Sequence, residues 1–397
     1  MTLHTIAMPD EERMTVRAGL LPVAGAVFLG SLAVSIPLAA LSLEMRDRLD
    51  AGPALIGGVI GVQGLSTLLT RHQAGTLADR RGTRTAVLFG LPLAAASGLA
   101  YVASGLLAGG WAAHLALLIL GRILGGLGES LFLTGLMSWG IARLGPARTG
   151  KVMSWVGIAI YAALGLGAPI GLALQARFGF VGVGAVTMLA PTIAWTIALL
   201  LPSIPGGGGH RVAFHHVLSL IWRPGLILAL ATVPFAAMSS FLAVDYAAHG
   251  WSQAGAALFG FGAAYILVRL AAGGLADRVG AVPVAIGSLS LEVIGQLLLW
   301  SAPMPGVAIL GATLTGLGFS LVFPSMGVLA TSSIAAELRG RAVGNFIAFA
   351  DIALAVTGPV VGIGIEWAGV PYAFLVGAVA AGVALCMLPS IRRKRAE

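Results

Sequence analysis

The sequence predicts an all-α membrane protein: twelve transmembrane helices in two pseudo-symmetric six-helix bundles, with both termini cytoplasmic. Three observations carry this. Hydrophobic residues make up 58% of the chain, charged residues only 10%, and the mean hydropathy is +0.97, a balance foreign to soluble domains. Apolar runs long enough to cross a bilayer recur from end to end, and lipid offers backbone amides no partner outside a helix. A twelve-residue signature also occurs twice, as RHQAGTLADRRG at 71–82 and RLAAGGLADRVG at 269–280. Arg71 matches Arg269, Gly75 matches Gly273, Asp79 matches Asp277 and Gly82 matches Gly280, each pair 198 apart in a chain of 397 residues. The chain is therefore two copies of one membrane unit in the same order, an arrangement that places a binding site between the halves.

The twelve runs fall at about 18–43, 53–77, 84–108, 112–142, 151–176, 180–201, 224–248, 254–275, 282–302, 306–333, 342–366 and 371–389. Basic residues orient them. Arg80, Arg81, Arg84, Arg143, Arg148, Lys151, Arg278, Arg339 and Arg341 lie in short loops on one side, with Arg13, Arg17, Arg211, Arg223 and the tail Arg392, Arg393, Lys394 and Arg395; the other side holds Arg46, Arg48 and Arg177. Positive-inside bias places the first set in the cytoplasm. The net charge of +8 follows from topology and anionic headgroups, without nucleic acid. The first run is too long for the core of a cleavable signal peptide. The single Cys386 excludes an intrachain disulfide and a cysteine metal site, and the seven His show no ligand spacing. The expected division is an N-terminal bundle at 1–202, a cytoplasmic linker at 203–222 and a C-terminal bundle at 223–397. The linker opens on a flexible glycine run and continues as a weakly amphipathic stretch suited to the membrane surface.

A second register relates the later parts of each half. Gly126-Leu127-Gly128-Glu129-Ser130-Leu131 aligns with Gly316-Leu317-Gly318-Phe319-Ser320-Leu321 at an offset of 190, and Pro169 aligns with Pro359. On these residues the chain resembles the major facilitator superfamily over essentially its whole length. GTLADRRGTR at 75–84 looks like that superfamily's signature between its second and third helices, and GGLADRVG like the degenerate partner between the eighth and ninth. Arg122 with Gly126 and Gly128 resembles the fourth-helix motif, with Gly125 where the motif carries Gln. Gly167-Ala168-Pro169-Ile170-Gly171 and Gly358-Pro359-Val360-Val361-Gly362 resemble the fifth-helix Gly-Pro motif of antiporters and its repeat. GESLFLTG at 128–135 and WVGIAIYAAL at 155–164 resemble bacterial arabinose or drug efflux exporters. The resemblance implies bundles that rock about a central cavity. Helices 1, 4, 7 and 10 would line it, helices 2, 5, 8 and 11 would join the halves, and helices 3, 6, 9 and 12 would face lipid.

Ionisable groups at bilayer depth cost at least about 2.5–3.5 kcal/mol, so each calls for a function. Arg122 and Glu129 share a face of the fourth helix about 10.5 Å apart along its axis. Glu129 is the candidate proton carrier, with Arg122 tuning it or holding an anionic group; a static packing pair is the alternative. Arg71 and Asp351 lie at similar depths in the second and eleventh helices and would form a gate that closes the cytoplasmic side and breaks when that side opens. Snorkelling of Arg71 to the interface is the alternative. The repeat sets Tyr161 opposite Arg269, so the second copy lacks the acid. Asp79 would accept from its Arg neighbours, Arg80 among them, or face the N-terminus of helix 11, while Asp277 reads as a loop residue. Glycines and prolines at 167–171 and 358–362 permit close helix approach. Ser31 and Ser35, Thr134, Ser239, Ser240, Tyr246, Thr315 and Ser320 are the cavity's sparse polar candidates, although Ser and Thr often bond only their own helix. Asp245 sits where a solvated cavity rim is expected. Glu292, one turn before Gln296 on a supporting helix, has no account from sequence.

These readings describe a proton-coupled exporter of small organic molecules working by alternating access, in a bacterial inner membrane. It would use a proton gradient and no cofactor or metal, and need no obligate protein partner. A proton symporter importing a sugar or carboxylate is the same-class alternative, and a non-transporting receptor or scaffold the alternative of another class. An enzyme is not expected: no metal cluster, phosphate-binding loop or nucleophile–base set appears.

Overall fold

The computed structural model describes residues 10–145, 148–200, 202, 214–331 and 339–393, and among them all regular structure is helical. The N-terminal half comprises α1 (Asp10–Leu49), α2 (Pro53–Arg81), α3 (Thr83–Leu106), α4 (Trp111–Leu144) and α5 (Thr149–Leu200). The C-terminal half comprises α6 (Phe214–Ala248), α7 (Ala254–Ala272), the short α8 (Leu275–Val279), α9 (Ala281–Trp300), α10 (Pro305–Thr331), α11 (Arg339–Ala368) and α12 (Tyr372–Arg393). Most of the expected linker, 203–213, lies outside the described residues; α6 begins at Phe214, within its remainder.

Eleven of these helices are long and apolar enough to cross a membrane, one fewer than the number of predicted runs. The difference is α5. Its apolar stretch, Lys151–Leu200, has 50 residues, roughly 75 Å of helix against a hydrocarbon core of about 30 Å. It turns at Gly179, whose φ of 65° and ψ of −172° are not helical, and so supplies the fifth and sixth crossings.

Both signatures end at a glycine of positive φ, Gly82 at 91° and Gly280 at 105°, from which the next helix starts directly. An L side chain is strained in that conformation. The copies differ just before it. In the first, α2 runs unbroken through Asp79 to Arg81. In the second, the pair Gly273-Gly274 interrupts the helix, and LADRV forms the separate α8, as two adjacent glycines weaken helix propagation.

The two repeat registers are visible in the packing. Gly128 on α4 lies against Gly90 and Ala94 of α3, and its equivalent Gly318 on α10 lies against Ser288 and Glu292 of α9. Each member is related to its counterpart by the sequence offsets of 190 and 198. Across the halves α2 packs on α11, α5 on α7 and α1 on α6. The peripheral helices present large apolar side chains outward, among them Phe89 and Leu99 on α3, Ile193 on the second part of α5, Ile294 on α9 and Val379 on α12. The joining helices do so too, through Leu69 on α2, Leu267 on α7 and Val360 on α11, so they border lipid as well as the partner half.

Candidate functional site

A cavity lies between the halves, with about 1220 Å³ of empty space including its solvent-open part. Residues of α1, α4, α6 and α10 line it, and α2, α5 and α11 contribute as much. Its outer side is shut by backbone contact. Gly57 and Gly61 of α2 meet Gly358 and Ala355 of α11, Gly362 meets Pro53, and Gly165 of α5 meets Gly262 of α7, with no room for a side chain at any of these glycines. The halves are thus in close backbone contact on the outer side.

The N-terminal wall is polar. Glu129 of α4 faces the cavity, and its Oε2 accepts from Gln63 Nε2 at 3.1 Å and from Thr67 Oγ1 at 3.3 Å, both on α2. Gly125, one turn before Glu129, makes this possible: a Cβ there would stand 3.3 Å from Gln63 Oε1. The glutamine that the resemblance leads one to expect at 125 is replaced by one entering from the neighbouring helix. Arg122 is 2% exposed and also lines the cavity, but it does not pair with Glu129. Its Nη2 donates to the Ile60 carbonyl of α2 at 3.0 Å, and Nε and Nη1 have no hydrogen-bond partner among the described residues.

The C-terminal wall is aromatic, and the repeat explains why. The positions equivalent to Gln63 and Glu129 are Phe261 and Phe319, whose rings stack with centroids 6.5 Å apart. Phe235 of α6 lies 5.8 Å from Phe319 and nearly parallel to it, at 7°. Tyr265, equivalent to Thr67, packs 4.7 Å from Tyr161 of the other half. Such separations are those of favourable ring pairs.

Arg71 and Asp351 meet. Their side chains form an ion pair from α2 to α11, both largely buried and both on the cavity wall. The pair exists while the outer side is closed, so it does not require an outward-open state. Glu129 interacts electrostatically with both partners. At the equivalent place in the second half, Arg269 donates from Nη1 to the Ser320 carbonyl of α10 at 3.2 Å and lies beside Gly157 and Tyr161.

Other expected residues sit elsewhere. Ser31, Ser239 and Ser240 line the cavity. Ser35 does not: fully buried, it donates to the Ala163 carbonyl of α5 at 2.8 Å. Tyr246 ties the outer end of α6 to the Pro305 carbonyl at 3.1 Å, and neither it nor Thr134, Thr315 or Ser320 reaches the cavity lining. Thr315 and Ser320 bond to other helices, accepting from Gln296 and donating to the Tyr265 carbonyl. Asp245 is no solvated rim; it is 2% exposed, beside His249 at 3.6 Å. Gly358, Pro359 and Gly362 pack across the halves as expected of an interface motif, but Gly167 and Gly171 face Ser35 and Ile36 of α1 in their own half. Gly165 makes the crossing contact instead, while Pro169 is half-buried. Asp79 and Arg80 are exposed, and no hydrogen bond or ion pair holds Asp79 among the described residues. The side chain of Asp277 lies outside the described residues.

Gln63 is the residue that sequence reasoning passed over. Its one signal was an amide in the middle of an otherwise apolar run. Gly165 was the other, hidden among several glycines whose facing directions no pattern distinguishes.

The family model described as Major Facilitator Superfamily matches residues 23–252 and 226–397. An uncharacterized MFS-type transporter of Salmonella typhimurium is 39% identical over 380 residues, covering 94% of this chain and 96% of its own. The uncharacterized MFS-type transporter YhhS of Escherichia coli K12 is 36% identical over 370 residues, covering 93% and 91%. Among solved structures, the human organic anion transporter MFSD10 superposes with a TM-score of 0.72 at 18% identity, and the nucleoside transporter NupG with 0.71 at 15%; each match covers 94% of this chain and 99% of the other.

Proposed function

This chain belongs to the major facilitator superfamily, and from that premise we propose that it is a proton-coupled exporter of small, partly apolar organic molecules. It is a multi-pass membrane transporter and not an enzyme; direction, coupling and substrate are our reading. The bacterial source of its relatives favours a bacterial cytoplasmic membrane. A proton gradient drives it, with no cofactor.

One observation carries the coupling. Glu129 is held by the neutral Gln63 and Thr67 rather than by a cation, and stands in electrostatic reach of the Arg71–Asp351 bridge. When Glu129 is ionised it competes with Asp351 for Arg71 and repels Asp351. When it carries a proton, Arg71 belongs to Asp351 alone. Protonation thus favours the bridged form, and deprotonation loosens it. A substrate that displaces the proton then favours the unbridged form. Proton and substrate prefer different conformers, which coupled exchange requires. The aromatic wall of Phe235 and Phe319, facing a polar one, supports a substrate with an apolar, stackable body.

The test is an accumulation and resistance screen in bacteria stripped of their own efflux pumps, with wild type, Glu129→Gln and empty vector at matched expression, with and without a protonophore. The proposal expects lower accumulation of some compound in wild type only, abolished by the protonophore. Higher accumulation in wild type would reverse the direction and establish a symporter. No difference for any compound would remove export as the function.

A further inference from the structure

Glu292 lies midway along α9, away from the cavity, fully buried, and neither carboxylate oxygen has a hydrogen-bond partner among the described residues. Its place is made by Gly318 of α10, where a Cβ would stand 2.8 Å from both Glu292 Cγ and Glu292 N. The equivalent place in the N-terminal half is filled by Ala94 against Gly128. A methyl group therefore suffices for this packing, and the second half has put an acid there. An ionised carboxylate with nothing to pair it carries a cost that no neighbouring contact offsets.

Among the described residues, nothing in the surroundings pairs with the carboxylate. Tyr265 of α7 has a buried hydroxyl, also without a hydrogen-bond partner, so it and the Glu292 carboxyl are not bonded to each other in this form. Gln296, one turn on, donates to Thr315 Oγ1 of α10 at 3.1 Å, and its Oε1 lies against Gly377 of α12 without a hydrogen-bond partner. α10 meets Glu292 through Gly318, and the buried cation of α7, Arg269, donates to the Ser320 carbonyl of α10 instead, so no ion pair or hydrogen bond reaches the Glu292 carboxylate among the described residues. Tyr265 links this pocket to the half boundary, since its ring packs against Tyr161 of α5 beside the close contact of Gly165 with Gly262.

We propose that Glu292 is a second proton-binding site, loaded in this outward-closed form and emptied through Tyr265 when α5 and α7 separate. In that step the O–H bond of the Glu292 carboxyl breaks, the Tyr265 hydroxyl oxygen accepts the proton and passes its own to cavity water, and Glu292 is left as a carboxylate. The net change is one proton moved from Glu292 to water. The inference deepens the proton-coupled reading above and rests on it for its purpose.

The test does not need a substrate. Full-length protein in lipid vesicles is studied by infrared difference spectroscopy between acidic and alkaline buffers, in water and in deuterium oxide. Wild type, Glu292→Gln, Glu292→Ala, Glu129→Gln and Tyr265→Phe are compared. The expected result is a deuterium-sensitive carboxyl C=O band that bleaches as pH rises, persists in Glu129→Gln and is lost in both Glu292 variants. In Tyr265→Phe the bleaching slows by about tenfold or more. The alanine variant copies the N-terminal half's own packing and guards against misfolding of the glutamine variant. An unchanged band in both Glu292 variants, or one that never bleaches while the protein stays folded, overturns the proposal. Loss of proton dependence in transport by Glu129→Gln is a separate readout, so failure of the first site and of the second are told apart.

Discussion

Gln63 on α2 donates to Glu129 on α4 at 3.1 Å, and the two equivalent positions of the second half hold the stacked pair Phe261 and Phe319. One backbone frame thus builds a polar wall and an aromatic wall facing each other across the same cavity. The polar pair offers a place for a proton; Phe319, with Phe235 on the cavity wall, offers a surface for an apolar body, and Phe261 backs both rings from behind. Gln63→Leu leaves Glu129 with Thr67 as its one side-chain donor among the described residues. Loss of a hydrogen bond to a buried charged group costs about 1.5–3 kcal/mol, so proton-driven efflux should fall by roughly tenfold with the protein still folded. Efflux rates at matched expression check this, and an unchanged rate would remove Gln63 from the site.

The Arg71–Asp351 bridge predicts a charge-reversal result. Removing one partner of a buried pair costs about 3–5 kcal/mol, so Arg71→Asp and Asp351→Arg should each reduce transport to near background. The double variant should recover part of it. If the double variant is as inactive as the singles, the pair is not the latch.

The close approach of Gly64 to Ala355, where a Cβ would lie 2.7 Å from the Ala355 nitrogen, has its counterpart in Gly262 against Gly165. Gly64→Val or Gly262→Val should therefore disfavour outer closure, at a cost of about 1–3 kcal/mol, while each half keeps its own packing. With Cys386 replaced, a Ser31→Cys reporter in the cavity should become more reactive to an impermeant maleimide added outside. Unchanged reactivity would mean that these glycines do not set the outer seal.

Much of this architecture was legible before any coordinates, because lipid imposes strong rules. Apolar length gave the crossings and the signature spacing the two halves. The Arg71–Asp351 contact was also readable, since equal depth on facing helices leaves buried charges few partners. What was not legible depended on helix rotation. Gly167 and Gly165 are two residues apart and point to different neighbours, Ser35 in one case and Gly262 in the other. Thr134 and Tyr246 had the right chemistry on the right helices but the wrong face. The partner of Glu129 arrived from α2, and only the facing of two helices reveals that Gly125 leaves room for Gln63.

The aromatic wall predicts selectivity. Phe235 stacks against both Phe261, at 5.4 Å, and Phe319. Phe235→Ala should raise the KM for a flat aromatic substrate by roughly tenfold, the equivalent of about 1.4 kcal/mol, and change it little for an aliphatic substrate of similar size. Parallel increases for both would show that the wall merely shapes the cavity.

The most direct test of the proton-coupling claim follows substrate and proton together. Purified wild type and Glu129→Gln are placed in proteoliposomes with a trapped pH dye and given a gradient of a substrate from the accumulation screen. Wild type should move protons against the substrate flow, and Glu129→Gln should still exchange labelled for unlabelled substrate with no proton movement. Undiminished substrate-driven proton movement in Glu129→Gln would contradict the assignment of Glu129 as the coupling acid.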